Sequence, residues 1–137
     1  MRILLVGAGG VGTALARIAA RRPFAELVIA DYDLGRAQRA AAARDGYQAV
    51  HLDARDEQAT VGLLAQHRCD VLMNATDPRF VMPLFRAALQ AGTHYLARER
   101  PPGSAGRDQV SARMWLSTLA VFATGSAWRQ SCSMTSR

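Results

Sequence analysis

Three glycines near the start of the chain follow the spacing G-x-G-x-x-G, as Gly7, Gly9 and Gly12 of the stretch GAGGVG. In this pattern the first glycine allows a tight turn, the second removes a Cβ that would block a phosphate, and the third lets a helix approach a strand. The helix N-terminus then offers N–H groups and partial positive charge to an anion. Since glycines are common in turns, a turn without a ligand is the alternative.

An acidic residue stands where a dinucleotide site requires one. Asp31 ends an apolar run nineteen positions after Gly12, and its carboxylate can accept both hydroxyls of a ribose. That charge would repel a 2′-phosphate, which favours NAD as the cofactor. NADP stays open, because Arg36 in the following helix could accommodate the phosphate, although an ordinary exposed arginine is the alternative.

Polar residues also follow two later apolar runs, as Asp53-Ala54 and Asn74-Ala75-Thr76. Ligands of parallel sheets bind beyond the carboxyl ends of the strands, so Asp53 could contact the adenine and the backbone of Ala75 and Thr76 the inner ribose. The alternatives are a helix cap for Asp53 and a turn held by Asn74. None of the three histidines has a nucleophile or carboxylate at the spacing of a catalytic motif, and we assign no catalytic residue and no metal site.

Two periodicities alternate along the first 96 residues and predict the elements that position these groups. Short apolar runs predict buried strands, and apolar residues spaced i, i+3, i+4, i+7 predict helices that begin near Val11, Leu34, Asp56 and Pro78. The predicted strands cover residues 2–6, 27–30, 48–52, 71–74 and 94–96. Such alternation implies parallel pairing, hence an α/β, Rossmann-like, doubly wound parallel sheet in a single domain.

The sequence changes character after Leu96. Residues 97–113 contain Pro-Pro, two glycines and no periodicity, residues 114–122 (MWLSTLAVF) are apolar, and residues 123–137 are rich in Ser and Thr. We therefore expect a cofactor-binding domain over residues 1–96 and an atypical, irregular and partly disordered C-terminal tail over 97–137. If residues 114–122 do not dock on the domain, we expect a homo-oligomer.

Composition excludes several classes of protein. The net charge is +6, yet most of the excess lies in the tail, and the arginines of residues 1–96 are interspersed with carboxylates and lack aromatic partners. We expect no nucleic-acid partner. No apolar run approaches the roughly 18 residues of a membrane span, and Cys69 and Cys132 share no metal or disulfide spacing. The sequence predicts a cytoplasmic protein without a membrane partner.

Four stretches together resemble the N-terminal nucleotide-binding domain of the saccharopine dehydrogenase family: RILLVGAGGVGTALARIAAR, VIADYDLGRAQ, VHLDARDEQATVGLLAQHRCDVLMNATDP and PLFRAALQAGTHYL. The resemblance covers residues 1–96, and AALQAGTHYL is its most specific part. It implies an oxidoreductase that acts on C–N bonds of amino-acid-derived substrates with NAD or NADP. It also implies these contacts: the pyrophosphate at Gly7, Gly9, Gly10, Val11 and Gly12, the adenosine ribose at Asp31, the adenine at Asp53 and Ala54, and the middle of the dinucleotide at Ala75 and Thr76.

The chain departs from that family at Ala97, where members typically carry an acid and continue into a substrate domain. Nothing recognisable follows here, so we expect a truncated or frameshifted relative. Such a chain binds the dinucleotide, and it binds a small amino-acid-derived substrate only if a substrate domain is supplied. The alternative is a nucleotide-sensing regulatory module of the potassium-transport type, without catalysis, which the chain length favours.

Overall fold

The computed structural model describes residues 1–23 and 25–97, and the predictions made for residues 98–137 lie outside this part of the chain. Strands and helices alternate as the sequence predicts. The strands are β1 (Arg2–Val6), β2 (Glu26–Asp31), β3 (Gln48–His51), β4 (Val71–Asn74) and β5 (His94–Ala97). The helices are α1 (Gly10–Ala20), α2 (Leu34–Ala41), α3 (Glu57–Gln66) and α4 (Val81–Ala91), the last preceded by a 3-10 turn at Pro78–Phe80.

The five strands form one parallel sheet in the order β3-β2-β1-β4-β5. The chain first builds outward from β1 to β3 and then crosses to β4 on the other side of β1. The strand order therefore reverses between β1 and β4, where the carboxyl ends of the two strands leave a crevice. The predicted α/β fold class is confirmed, and Gly7 follows the central strand at this crevice.

The three inner strands β1, β2 and β4 are buried on both faces, which explains their continuous apolar runs. Helices α1 and α2 pack side by side, and so do α3 and α4. Because right-handed crossovers place each pair on its own face, every second strand residue points toward one pair. On one face, Leu4, Leu72, Leu64 of α3 and Leu84 of α4 belong to a single buried cluster.

The starts and ends of the helices follow local rules. Asp33 and Asp56 are the N-caps of α2 and α3, and their carboxylates accept N–H bonds from Arg36 at 3.2 Å and Ala59 at 2.8 Å. Gly92 ends α4 with φ of +66°, the left-handed conformation expected of a C-terminal glycine. The caps fix where each helix begins relative to the strand before it.

Strand β5 lies at one edge of the described sheet and includes Ala97, one residue beyond the domain boundary expected from the sequence. Its residue Leu96 pairs with Met73, and Ala97 pairs with Asn74 at the carboxyl end of β4. Among residues 1–23 and 25–97, no helix has the length and apolarity needed to cross a membrane.

Candidate functional site

The turn after β1 depends on Gly7. Its φ is +100°, a backbone conformation that residues with a side chain rarely adopt, and its N–H donates to the carbonyl of Ala30 at 2.8 Å. A Cβ at this position would lie 2.9 Å from Cγ2 of Thr76 and 3.0 Å from the carbonyl of Ala75. Strand β1 therefore turns into α1 with the segment after β4 packed directly against it.

Gly12 allows α1 to lie against this turn. A Cβ on Gly12 would overlap the carbonyl oxygen of Gly7 and lie 2.9 Å from its carbonyl carbon. By contrast, a Cβ on Gly9 or Gly10 would meet no atom within 4 Å. The first and third glycines of the motif are thus required by packing, whereas the space beside the second is open.

The N-terminus of α1 lies beside this open space. Gly9 is the N-cap, with φ of −70° and ψ of −164°, and no side-chain hydrogen bond from the described residues caps the helix. Since the first four N–H groups of a helix have no partner within it, Gly9, Gly10, Val11 and Gly12 present donors at the positive end of the helix dipole. This arrangement can hold a phosphate or pyrophosphate.

The carboxylate of Asp31 fastens the end of β2 to the glycine turn. Its side chain is buried, its Oδ2 accepts the N–H of Ala8 at 2.6 Å, and its Oδ1 accepts the N–H of Asp33 at 2.8 Å. Each carboxylate oxygen has a second lone pair, which leaves an acceptor for a ribose hydroxyl. The sequence predicted the acid at this position but not its two backbone partners.

Arg36 lies between two carboxylates. Its Nε is 4.0 Å from Oδ1 of Asp31 and 3.5 Å from Oδ2 of Asp33. The backbone N–H of Arg36 donates to the carboxylate of Asp33 and lowers the pKa of that group below its usual value. A 2′-phosphate placed near Arg36 would therefore also meet the charges of Asp31 and Asp33.

The residues after β3 form a second polar group at the same edge of the sheet. The carboxylate of Asp53 accepts hydrogen bonds from the side chain and the backbone N–H of Arg55, including Nη2 to Oδ2 at 2.7 Å, and these bonds lower the pKa of Asp53 to about 2. The N-cap of α3 is Asp56, so the alternative of a helix cap at Asp53 is wrong. Ala54 is half-buried against the core cluster that contains Leu52.

An aromatic pair that was not predicted from the sequence flanks this group. The ring of Tyr32, next to Asp31, lies 5.6 Å from the ring of His51 at the end of β3. Strand register explains the contact, because Asp31 is paired with His51 across β2 and β3. An aromatic residue directly after the acid of β2 is the one signal that could have indicated it.

The third group follows β4. The side chain of Asn74 is buried, and its Oδ1 accepts the N–H of Thr76 at 2.9 Å and the Thr76 hydroxyl at 2.6 Å. Asn74 thus holds the turn, which is the alternative that the sequence offered for this residue. The N–H of Ala75 donates to the carbonyl of Val6 at 2.8 Å, which ties this turn to the end of β1.

The structure brings most of the predicted site residues together. The stretch 7–12, Asp31 and the pair 75–76 are linked by direct contacts, while Asp53 and Ala54 lie at the end of the neighbouring strand β3. In residues 1–23 and 25–97 no group of three or more His, Cys, Asp and Glu side chains could hold a metal ion. What converges at the crevice is a set of N–H donors for phosphate and carboxylates for hydroxyls.

Comparison with known proteins agrees with this geometry. The family model described as "Saccharopine dehydrogenase NADP binding domain" matches residues 3–121, beyond the boundary at Leu96 that the sequence resemblance reached. No curated protein matches the chain.

Several solved structures share the fold. Saccharopine dehydrogenase (L-Glu forming) from Saccharomyces cerevisiae is 24% identical with a TM-score of 0.66, over 74% of this chain and 22% of that one. A myo-inositol dehydrogenase from Corynebacterium glutamicum is 31% identical with a TM-score of 0.59, and the match covers 71% of this chain and 27% of that one. The leucoanthocyanidin reductase–NADPH complex from Vitis vinifera is 16% identical with a TM-score of 0.58, and the match covers 69% of this chain and 35% of that one.

The chain thus spans about a fifth of the length of the yeast enzyme that it resembles in fold. The family match covers most of the chain, and the glycine turn, the acid of β2 and the strand order are those of a dinucleotide site. The chain belongs to the saccharopine dehydrogenase NADP-binding domain family and is an NAD(P)-binding domain with a Rossmann-like fold.

Proposed function

We propose that this chain supplies the cofactor half of a saccharopine dehydrogenase-like oxidoreductase, which acts on C–N bonds of amino-acid-derived substrates. The observation that carries the proposal is the uncapped N-terminus of α1 beside the open space at Gly9. In this proposal the stretch 7–12 binds the pyrophosphate, Asp31 the adenosine ribose, Asp53 and Ala54 the adenine, and the 75–76 backbone the middle of the dinucleotide.

The bound cofactor would supply or accept a hydride at its nicotinamide. The described residues orient the dinucleotide: N–H groups of α1 neutralise its phosphates, and the carboxylate of Asp31 fixes one ribose. Hydride transfer also requires a substrate held against the nicotinamide, and such positioning accounts for roughly 7 to 11 kcal/mol of a barrier in favourable cases. We propose that substrate binding depends on a separate substrate domain, so the isolated chain binds NADH but does not turn over a substrate.

Two measurements test this part of the proposal. NADH fluorescence should change when the purified 137-residue chain is added, and the chain with saccharopine or related amino acids should give no steady reduction of NAD. Steady turnover by the isolated chain would contradict the requirement for a separate substrate domain. Absence of any NADH binding would contradict the cofactor role itself.

We further propose that NAD binds more tightly than NADP. Arg36 is engaged by Asp31 and Asp33, so a 2′-phosphate would gain little from the guanidinium and would meet two carboxylates. The Asp33→Asn substitution tests this, because asparagine also caps helices well but carries no charge. Asp31 is less suitable for the test, since its carboxylate also holds the glycine turn through Ala8.

The expected result is a smaller preference for NAD in the Asp33→Asn chain, by about threefold to tenfold, as removal of one nearby surface charge predicts. Asp56→Asn makes the same change at the N-cap of α3 and serves as the matched control. The control should leave the ratio of the two dissociation constants unchanged. Equal affinities for NAD and NADP in the unmodified chain would reject the preference.

A further inference from the structure

Thr76 is held in place by a chain of hydrogen bonds that reaches the edge of the described sheet. Its N–H and hydroxyl both donate to Oδ1 of Asn74, whose Nδ2 donates to the phenol oxygen of Tyr95 at 3.1 Å. The Tyr95 hydroxyl in turn donates to the carbonyl of Val81 at 3.2 Å. The series joins the turn after β4 to strand β5 and to the first residue of α4.

The donors and acceptors in this series fix its direction. The Thr76 N–H can only donate, so the amide atom that faces it must be the oxygen of Asn74. The nitrogen of Asn74 therefore faces Tyr95, whose oxygen accepts that bond while its proton goes to Val81. Asn74 is almost fully buried, so loss of the partner of its amide would leave a buried polar group without a hydrogen bond, which costs free energy.

The turn that these bonds hold forms one wall of the glycine turn. Cγ2 of Thr76 and the carbonyl of Ala75 lie 2.9 and 3.0 Å from the place that a Cβ on Gly7 would occupy. A small shift of the pair 75–76 would therefore change the space beside the first glycine. Tyr95 itself is on β5, two strands from β1, and packs its ring 5.5 Å from that of Phe85.

We propose that Asn74 and Tyr95 are positioning residues for the dinucleotide. Through Thr76 they set the segment that contacts the middle of the cofactor, while the adenosine end is bound by other residues. The inference rests on the proposed function and deepens it, since it assigns a cofactor role to a side chain of the fifth strand. It predicts that loss of the Tyr95 hydroxyl weakens the binding of NADH more than the binding of AMP, which lacks the nicotinamide half.

The test compares NADH and AMP binding in the full 137-residue chain and in its Tyr95→Phe variant. Phenylalanine keeps the ring contact with Phe85 but leaves Nδ2 of Asn74 without its acceptor. The dissociation constant for NADH, from NADH fluorescence, should rise at least about fivefold, while that for AMP, from calorimetry, stays within about twofold. A merely structural role would weaken both ligands together and lower the melting temperature.

Tyr47→Phe is the matched control. The Tyr47 hydroxyl is buried beside Arg44 and makes no hydrogen bond of ordinary geometry among the described residues, so its removal breaks none of the bonds around Asn74. Both affinities should match those of the unmodified chain. The positioning role is overturned if Tyr95→Phe binds NADH as tightly as the unmodified chain, or if it loses affinity equally for NADH and AMP. In either case the proposed function stands. If the unmodified chain binds neither ligand, both proposals fail.

Discussion

The glycines at positions 9 and 12 should respond in opposite ways to the same substitution. In Gly9→Ala the new Cβ meets no atom within 4 Å, and φ of −70° with an extended ψ suits alanine. The folded state is therefore undisturbed, and the unfolded chain loses entropy, which stabilises the protein by about 0.4 to 1 kcal/mol. Under the proposed function, however, the methyl group would occupy the place of the pyrophosphate.

In Gly12→Ala the new Cβ overlaps the carbonyl oxygen of Gly7 and lies 2.9 Å from its carbon, whereas ordinary contact begins at 3.4 Å. Both neighbours are backbone, so α1 or the turn must move. Such overpacking typically costs about 1 to 3 kcal/mol and occasionally more. The better helix propensity of alanine offsets no more than about 1 kcal/mol of that cost.

The assay combines urea unfolding with NADH titration for both variants and for Gly62→Ala. Gly62 lies in α3, where a Cβ meets nothing within 4 Å, and the substitution should raise stability without changing NADH affinity. Gly9→Ala should unfold no earlier than the parent chain and bind NADH at least about tenfold more weakly, equivalent to about 1.4 kcal/mol. Gly12→Ala should be the least stable of the three.

One result would refute the reasoning for each glycine. If Gly9→Ala binds NADH as tightly as the parent chain, the open space beside α1 does not hold the pyrophosphate, and the motif is a turn between a strand and a helix. If Gly12→Ala is as stable as the parent chain, the close approach of α1 to Gly7 does not constrain the fold.

Three further substitutions or reactions test the account of the fold. Leu72→Ala, at a fully buried position of β4, should lower the free energy of unfolding by about 2 to 5 kcal/mol in urea titrations, and a loss below 1 kcal/mol would contradict its place in the core. Burial raises the pKa of Cys69 to about 11, so at pH 8 its thiolate fraction is about a hundredfold below that of an exposed thiol. In a Cys132→Ser chain, Cys69 should therefore react with a disulfide reagent only after unfolding, and reaction of the native chain at the unfolded rate would refute its burial. Asp56→Ala should cost about 1 kcal/mol in the same urea titrations, because Ala59 loses its capping bond, and an unchanged midpoint would show that the cap does not stabilise α3.

Much of the fold follows from short-range pattern. The run RILLV predicts β1 with the bounds Arg2–Val6, and the caps at Asp56 and Gly92 are set by residues within one helical turn. Helix α2 ends at Ala41, although the run of alanines continues to Ala43, because the chain turns there toward Gly46, which has φ of +91°. An alanine-rich run gives no sequence signal for that exit.

The partners of the site residues depend on strand register and could not be predicted. The sequence indicates that Asp31 follows β2, yet only the fold shows that its carboxylate accepts the N–H of Ala8, 23 positions earlier. The bond between Asn74 and Tyr95 spans 21 residues and depends on the pairing of β4 with β5. Pairing of Arg55 with Asp53 is local, but an exposed arginine two residues away has many alternative conformations.

The central claim is that the N-terminus of α1 binds the phosphates of a dinucleotide. The most direct test follows the backbone amide signals of the labelled chain by NMR during titration with NADH. We predict saturable shifts at Gly9, Gly10 and Val11, together with Asp31 and Thr76, and weaker shifts at these amides when AMP replaces NADH. A titration that leaves these amides unchanged at millimolar NADH, or that shifts only residues outside the carboxyl edge of the sheet, would contradict the account.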